Sequence, residues 1–214
     1  MRHSHEVANR VAALFELRPL RGYVRWKIRS DPAYPAVLAQ LQHSAVPLVD
    51  VGCGVGILPF FLREHGWMGR VVGIDFDERK VGLAREAASR YREIDFLTAD
   101  ARAPLPSGHN VVLLDVLHYF SPSDQRSILQ NASEAVPERG VIVIRQGLRD
   151  SSWRHRLTKS VDSLARTFRW MRGEPPYYPS RQEVLDPFPD FDVEASPLWG
   201  RMPYNNYLFV LRKR

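Results

Sequence analysis

The chain has 214 residues, 44% of them hydrophobic and 25% charged, which is typical of one globular domain, with or without an insertion. Its single cysteine excludes an intrachain disulfide bond and argues against a cysteine-based zinc site. No apolar run approaches the roughly 18 residues of a spanning helix, and the first residues do not resemble a secretory signal, so we expect a cytoplasmic protein. The net charge of +6 favours anionic partners.

The middle of the chain alternates short apolar runs with helical patterns. We predict strands at 48–51, 71–75, 94–97, 110–115 and 140–145, and helices at 56–64, 78–90 and 122–136. Apolar runs without polar alternation are typical of strands buried on both faces, and the alternation of strand and helix makes such strands parallel. The sequence therefore predicts an open α/β sheet with helices on both sides.

Two further regions flank this core. Residues 5–45 are predicted to form two helices, broken near Pro19 and Pro32. Residues 151–172 place apolar side chains at helical spacing, which predicts one amphipathic helix. A proline-rich stretch follows, and two strands at 191–194 and 206–211 close the chain.

A glycine-rich turn, Asp-Val-Gly-Cys-Gly-Val-Gly at 50–56, joins the first strand to the next helix. Glycine there lets a ligand approach the backbone closely. The dinucleotide pattern G-x-G-x-x-G fails, because its third glycine slot holds Ile57 or Pro59. About 20 residues on, Asp75 ends the second strand, where a carboxylate can accept both hydroxyls of a ribose. The turn therefore predicts a site for a nucleoside without a pyrophosphate.

Four aspartates belong to the same edge of the predicted sheet: Asp50, Asp75, Asp100 and Asp115. The carboxyl ends of parallel strands share one edge, and ligands of open α/β sheets bind in the crevice there. One such aspartate is more often a helix cap or a surface group. Four around a glycine turn favour a binding site.

With these motifs the chain resembles the class I S-adenosylmethionine-dependent methyltransferases. Residues 50–56 match the first motif of that family, Asp75 its ribose-binding acid and Asp100 its adenine-side acid. The run Asp-Val-Leu-His-Tyr at 115–119 matches its fourth-strand motif. Pro-Glu-Arg-Gly at 137–140 is similar to its Leu-x-Pro-Gly-Gly turn but departs from it at the middle two positions.

The resemblance implies a Rossmann-like seven-stranded α/β sheet in the order 3-2-1-4-5-7-6, with the last strand antiparallel, and S-adenosyl-L-methionine as cofactor. The single domain 1–214 then comprises an N-terminal helical cap (1–45), a cofactor-binding core (46–146), a helical and proline-rich lid insertion after strand five (147–190) and a final hairpin (191–214). The candidate cofactor-binding residues are Asp50, Gly52, Cys53, Gly54, Gly56, Asp75, Phe76, Asp100, Ala101 and Asp115.

Methyl transfer from a sulfonium is an in-line displacement, so the site must align the acceptor atom with the carbon–sulfur bond. His118 is the candidate general base, because its ordinary pKa near 6.5 suits proton removal at neutral pH. The alternative is that His118 only packs against the cofactor or a helix. Tyr119 is the second candidate catalytic residue, and Arg145 and Gln146 are candidate contacts to an acidic acceptor. No cluster of histidines and carboxylates predicts a metal site.

The excess positive charge lies in two regions that flank the core. Residues 145–172 carry eight basic side chains against two acidic ones, and residues 1–31 are also basic. In the family these regions commonly cover the acceptor site, so Tyr23 and Trp153 are candidate acceptor contacts. Such a lid could meet an anionic small molecule or carrier-bound acceptor, an acidic protein or a membrane surface through 149–172, or, less favoured, nucleic acid. The alternatives are that this helix packs on the sheet with solvated arginines or pairs across a homodimer axis.

The sequence thus predicts a methyltransferase for a small-molecule acceptor, an oxygen of an aromatic, carboxylic or carrier-tethered biosynthetic intermediate. No Asn/Asp-Pro-Pro-Tyr run follows the fourth strand, and its absence favours oxygen over an amide nitrogen. Two alternatives stay open. One is an RNA or protein methyltransferase that docks through its basic flanks, and the other is a cofactor-binding partner protein without turnover.

Overall fold

The computed structural model describes residues 2–149, 176–199 and 205–214. Within these ranges one sheet has the order β3-β2-β1-β4-β5-β7-β6. β7 runs antiparallel to β5 and to β6, and the other neighbouring pairs are parallel. The predicted order and orientation are confirmed. The strands are β1 (Leu48–Val51), β2 (Val71–Asp75), β3 (Ile94–Thr98), β4 (Asn110–Leu114), β5 (Val141–Gly147), β6 (Phe191–Pro197) and β7 (Asn206–Lys213).

The helices of the described ranges are α1 (Arg2–Ala12), α2 (Arg18–Ser30), α3 (Ala33–Leu41), α4 (Ile57–Glu64), α5 (Glu78–Ala88), α6 (Pro122–Ala135) and α7 (Arg181–Leu185). A short 3-10 helix, Leu117–Tyr119, follows β4. None of these helices is long and apolar enough to cross a membrane. The helix predicted at 151–172 lies outside the described residues.

Three helices precede β1, so the prediction of two was wrong. Pro19 lies in the first turn of α2, and Pro32 is the N-cap residue of α3. Proline at the start of a helix loses no hydrogen bond, because the first amide hydrogens have no partner inside the helix. Each proline therefore begins a helix, and the second separates α2 from α3.

The sheet is buried on both faces, as the unbroken apolar strands predict. Alternate side chains of each inner strand belong to two separate apolar clusters. The first cluster joins the sheet to α1–α5, with Leu48, Val71, Val112 and Val143 from the strands. The second joins it to α6 and α7, with Val49, Ile74, Val111, Leu113 and Ile144. The three N-terminal helices are thus part of the main core.

A buried ion pair ties the N-terminal helices to the sheet. Arg145 on β5 donates from Nη1 to both carboxylate oxygens of Asp31, at 2.8 and 2.9 Å, and from Nη2 to Asp115. Lys27 also pairs with Asp31, with Nζ 2.8 Å from Oδ2. Burial favours the neutral form of Asp31, but the two cations outweigh it and hold the pKa below its usual value. Asp31 follows α2, so the pair fixes where α2 and α3 lie.

We expect Arg145→Met to lower the free energy of unfolding by about 3 kcal/mol, because it leaves the buried Asp31 carboxylate with Lys27 alone. Arg214→Met removes an exposed pair with Asp192 and should cost under about 1 kcal/mol. Since the pKa of Asp31 is lowered, the wild-type advantage over Arg145→Met should shrink as the pH falls below about 4. Urea denaturation of the wild type and both variants at each pH measures the free energy of unfolding. Equal losses in the two variants would contradict the role of Arg145 in the buried ion pair.

Candidate active site

The glycine turn between β1 and α4 has three left-handed residues, with φ of 74° at Gly52, 56° at Gly54 and 82° at Gly56. A Cβ at Gly52 would lie 2.5 Å from Val116, and one at Gly56 would lie 2.5 Å from Phe96. A Cβ at Gly54 would meet nothing within 4 Å. The outer glycines are therefore required by packing inside the protein, whereas Gly54 borders open space that a ligand can fill.

Asp75, at the end of β2, holds this turn in place. Its Oδ2 accepts a hydrogen bond from the amide of Gly54 at 2.9 Å, and its Oδ1 accepts one from the amide of Asp77 at 3.0 Å. A carboxylate offers about four lone-pair positions, so two acceptor positions are left. Asp75 can therefore shape the turn and still accept two hydroxyl groups of a sugar.

Asp50 lies behind the turn and is buried. Burial and the nearby carboxylate of Asp75 raise the pKa of Asp50 to about 8, so this group is mostly protonated at pH 7. Burial also raises the pKa of the Cys53 thiol, which donates weakly to the carbonyl of Gly54 at 3.7 Å. The Cys53 thiol is therefore neutral, whereas a nearby cation would favour the ionised form of the Asp50 carboxyl.

The next strand edge carries an apolar surface and an acid. Phe76 is 78% exposed and Leu97 is 49% exposed, which gives this side of the crevice an uncovered apolar surface. Asp100 accepts hydrogen bonds from the guanidinium of Arg102, which holds the pKa of Asp100 below its usual value. Ala101 packs at the margin of the second apolar cluster. The adenine-side role of Asp100 and the cofactor-binding roles of Phe76 and Ala101 stay predictions.

His118 lies in the 3-10 helix after β4, where three aromatic or amide groups surround it. Its ring stacks against Tyr178 with centroids 5.5 Å apart and also contacts Tyr119 at 4.1 Å. Its Nδ1 lies 3.3 Å from Nε2 of Gln146, and its carbonyl accepts from the amide of Tyr177 at 3.1 Å. Tyr177 and Tyr178 of the lid insertion thus form one wall around His118.

The predicted acceptor contacts have different outcomes. Arg145 is buried, and Asp31 and Asp115 take both of its terminal nitrogens. We therefore correct its interpretation: the structure gives Arg145 the part of an anchor for the N-terminal helices and not of an open anion contact. Gln146 is fully buried and contacts His118. Trp153 lies outside the described residues.

Asp115, a predicted cofactor contact, is the other partner of Arg145. It adopts a left-handed conformation with φ of 59°, and its carboxylate is paired with Arg145. Aspartate tolerates this conformation better than most residues. Its side chain is still 33% exposed, so a cofactor role for Asp115 stays a prediction.

Two residues of the N-terminal region were not predicted from the sequence. Asp31 is the partner of Arg145, and Tyr34 packs against Phe61 with ring centroids 5.5 Å apart. Burial, with Asp31 next in effect, raises the pKa of Tyr34 well above its usual value. One signal could have found Asp31, since an arginine within an apolar strand needs a buried carboxylate. Tyr23, a predicted acceptor contact, is 48% exposed and lies 6.3 Å from the Trp26 ring.

Comparison with known proteins finds a methyltransferase domain in the core of the chain. A family model described as a methyltransferase domain matches residues 48–140, the stretch that carries the glycine turn, Asp75 and His118. The match supports the resemblance to the class I S-adenosylmethionine-dependent methyltransferases.

Several curated methyltransferases are similar to this chain over its core. The 3-hydroxy-5-methyl-1-naphthoate 3-O-methyltransferase of Streptomyces sahachiroi is 37% identical over 107 residues, 48% of this chain and 31% of that protein. Indole glucosinolate O-methyltransferase 5 of Arabidopsis thaliana is 32% identical over 98 residues, 45% of this chain and 25% of that protein. This chain thus spans less than a third of the length of either relative.

A solved methyltransferase structure shares the whole fold. The crystal structure of magnesium protoporphyrin IX methyltransferase from Synechocystis PCC 6803 with bound SAH superposes with a TM-score of 0.68. The match covers 98% of this chain and 94% of that one, with 16% sequence identity. At this identity the likeness supports the fold alone.

The residues around the glycine turn fit S-adenosylmethionine as the cofactor. The open space beside Gly54 and the two remaining acceptor positions on Asp75 suit an adenosyl group. No side chain caps the N-terminus of α4, which leaves amide hydrogens facing the turn. Among the described residues, no group of three or more His, Cys, Asp or Glu side chains could hold a metal ion.

We expect S-adenosylmethionine, which carries an ammonium and a sulfonium group, to release up to about one proton on binding at pH 7. The reason is that its positive charge should ionise Asp50, whose pKa is raised to about 8 in the free protein. Calorimetry in buffers of different ionisation enthalpy counts the protons.

Asp50→Asn is the matching variant. It should abolish the proton release and also flatten the loss of stability that the wild type shows between pH 4 and 8. The sign follows from the raised pKa, since the folded protein holds a proton that the unfolded chain has lost. Equal proton release in the variant would contradict this role.

Proposed function

We propose that this chain is an S-adenosylmethionine-dependent O-methyltransferase for a small-molecule acceptor with an aromatic ring or a carboxylic group. The observation that carries the proposal is the placement of His118, which follows β4 at the ligand edge of the sheet and contacts the rings of Tyr119 and Tyr178. An imidazole between aromatic walls suits a flat acceptor that presents an oxygen. The names of the two similar curated enzymes, both O-methyltransferases, support the same chemistry.

The bound cofactor supplies an electrophilic methyl group, and the residues of this chain do the positioning. The Gly54 turn and Asp75 hold the nucleoside, and the stacked rings beside His118 orient the acceptor. Alignment of the acceptor with the carbon–sulfur bond can contribute several kcal/mol. Asp31 and Arg145 keep the N-terminal helices against the sheet, which limits the entry of water.

The charges of the described residues favour a small acceptor over a nucleic acid. Many of the described arginines are paired with carboxylates of the chain, among them Arg10, Arg70, Arg102, Arg126, Arg149 and Arg214. Paired arginines contribute little to a phosphate-binding surface. The acidic-protein, membrane and homodimer contacts through 149–172 stay predictions, because most of that segment lies outside the described residues.

A cytoplasmic location is part of the proposal. The only cysteine of the chain, Cys53, is buried, and the pKa of its thiol is raised by burial. An unpaired, protonated thiol is typical of proteins in a reducing compartment.

We expect Asp75→Ala to weaken the binding of S-adenosylhomocysteine by about 1–3 kcal/mol, because it removes a charged hydrogen-bond acceptor. Asp95→Ala is the matched control, since Asp95 is exposed on the neighbouring strand and pairs with the exposed Arg70. Isothermal titration calorimetry compares the two variants with the wild type. An unchanged affinity in Asp75→Ala would remove Asp75 from the ribose site.

We also expect the purified protein to transfer a labelled methyl group to an acceptor oxygen. The small acceptors to be tested are a hydroxynaphthoic acid, a hydroxyindole and a porphyrin propionate. Total RNA and an acidic carrier protein test the alternative functions. Mass spectrometry of the product locates the new methyl group. Labelling of RNA or protein in place of every small acceptor would contradict the proposal.

A further inference from the structure

Gln146, at the end of β5, controls the orientation of the His118 ring. Its side chain is fully buried, and its Nε2 lies 3.3 Å from Nδ1 of His118 and 3.2 Å from the carbonyl oxygen of Gly147. The amide nitrogen has two hydrogens, one for each of these neighbours. With the amide reversed, Oε1 would lie against the Gly147 oxygen, and the two oxygens would repel each other. The nitrogen of Gln146 therefore faces His118.

This contact decides which nitrogen of His118 carries the proton. Since Gln146 donates to Nδ1, that nitrogen presents its lone pair. In a neutral imidazole the proton must then be on Nε2. Nε2 is thus a hydrogen-bond donor and has no lone pair with which to accept a proton.

The groups that face His118 keep it neutral near pH 7. Burial has the largest effect and lowers the pKa of His118. Asp115 beyond β4 and the hydrogen bond with Gln146 raise it, whereas Arg145 on β5 lowers it. The remaining neighbours are the rings of Tyr119 in the 3-10 helix and Tyr178 in the lid insertion. The amide of Tyr177 donates to the backbone carbonyl and leaves the ring unaffected.

We propose that His118 holds the acceptor oxygen as a hydrogen-bond donor through Nε2, and that the acceptor arrives already ionised, as a carboxylate or an acidic phenol or enol. The inference rests on the proposed function and deepens it by naming the substrate class. Gln146 is the positioning residue that keeps the donor tautomer. A general base at His118 is then unnecessary.

Methyl transfer to an ionised oxygen needs no base to remove a proton. The anionic oxygen forms a bond to the methyl carbon, the carbon–sulfur bond breaks, and its electron pair stays on sulfur. The anion loses its negative charge and the sulfonium its positive charge, so no proton is left to remove.

The direct test is the tautomer of His118 in the wild-type protein. We would record long-range proton–nitrogen NMR spectra of protein labelled with nitrogen-15 in its seven histidines. His118→Gln assigns the signal by its loss. A proton on Nε2 at pH 7 is the expected result. A proton on Nδ1 would overturn the proposal, whether or not an acceptor is known.

Gln146→Glu is the second arm of the test. A carboxylate accepts from Nδ1, so this variant should move the proton to Nδ1 and convert His118 to the base tautomer. The His118 signal of a folded variant should therefore change tautomer. An unchanged tautomer would remove Gln146 from the positioning role, and the wild-type spectrum stands if the variant does not fold.

The third arm separates a donor from a base in the methyl-transfer assay. The amide nitrogen of glutamine can replace Nε2 as a donor but cannot serve as a base. His118→Gln should keep activity within about 10-fold of the wild type, and His118→Ala should lose about 10–100-fold. An equal loss of about 100-fold or more in both variants would indicate a base and contradict the proposal.

The controls distinguish failure of this inference from failure of the proposed function. His109→Gln, at the other end of β4, should leave activity unchanged. Binding of S-adenosylhomocysteine by every variant shows that the cofactor site is intact. If the wild type bound no cofactor and methylated no acceptor, the proposed function would fail while the NMR result still decided the tautomer.

Discussion

The hydrogen bond from the Gly54 amide to the Asp75 carboxylate is the contact on which the cofactor site depends. It joins the turn after β1 to the end of β2, so the glycine backbone and the acid lie at a fixed distance before any ligand arrives. Because Asp75 also accepts from the Asp77 amide, its position is set by the protein while part of its acceptor capacity stays unused. A site shaped in advance binds its ligand without the entropy cost of ordering these groups.

The acceptor side depends on a second set of fixed contacts. Asp31 and Arg145 hold the N-terminal helices against the sheet, and Gln146 beside Arg145 holds His118. Two consecutive residues of β5 thus position the N-terminal helices and the His118 imidazole. Their side chains point to opposite faces of the sheet, as in any strand, so each reaches a different layer.

The sequence predicted the parallel strands and the glycine turn because those depend on local patterns, such as unbroken apolar runs and a glycine-rich strand end, and the strand order followed from the family resemblance. It predicted less of the acceptor side, because that is built from long-range contacts. Nothing local to Asp31 or Gln146 indicates that the first meets Arg145, 114 positions away, or that the second meets His118, 28 positions away. The N-terminal helices were miscounted because a proline can end one helix or begin the next.

We expect an adenosyl sulfonium to bind across the Gly54 turn with its methyl group directed toward His118. A crystal structure of the protein with S-adenosylhomocysteine and an anionic acceptor would test this arrangement. Both ribose hydroxyls should lie within hydrogen-bond distance of Asp75, and the acceptor oxygen should lie within that distance of Nε2 of His118. A nucleoside bound away from the turn, or an acceptor that does not approach His118, would contradict it.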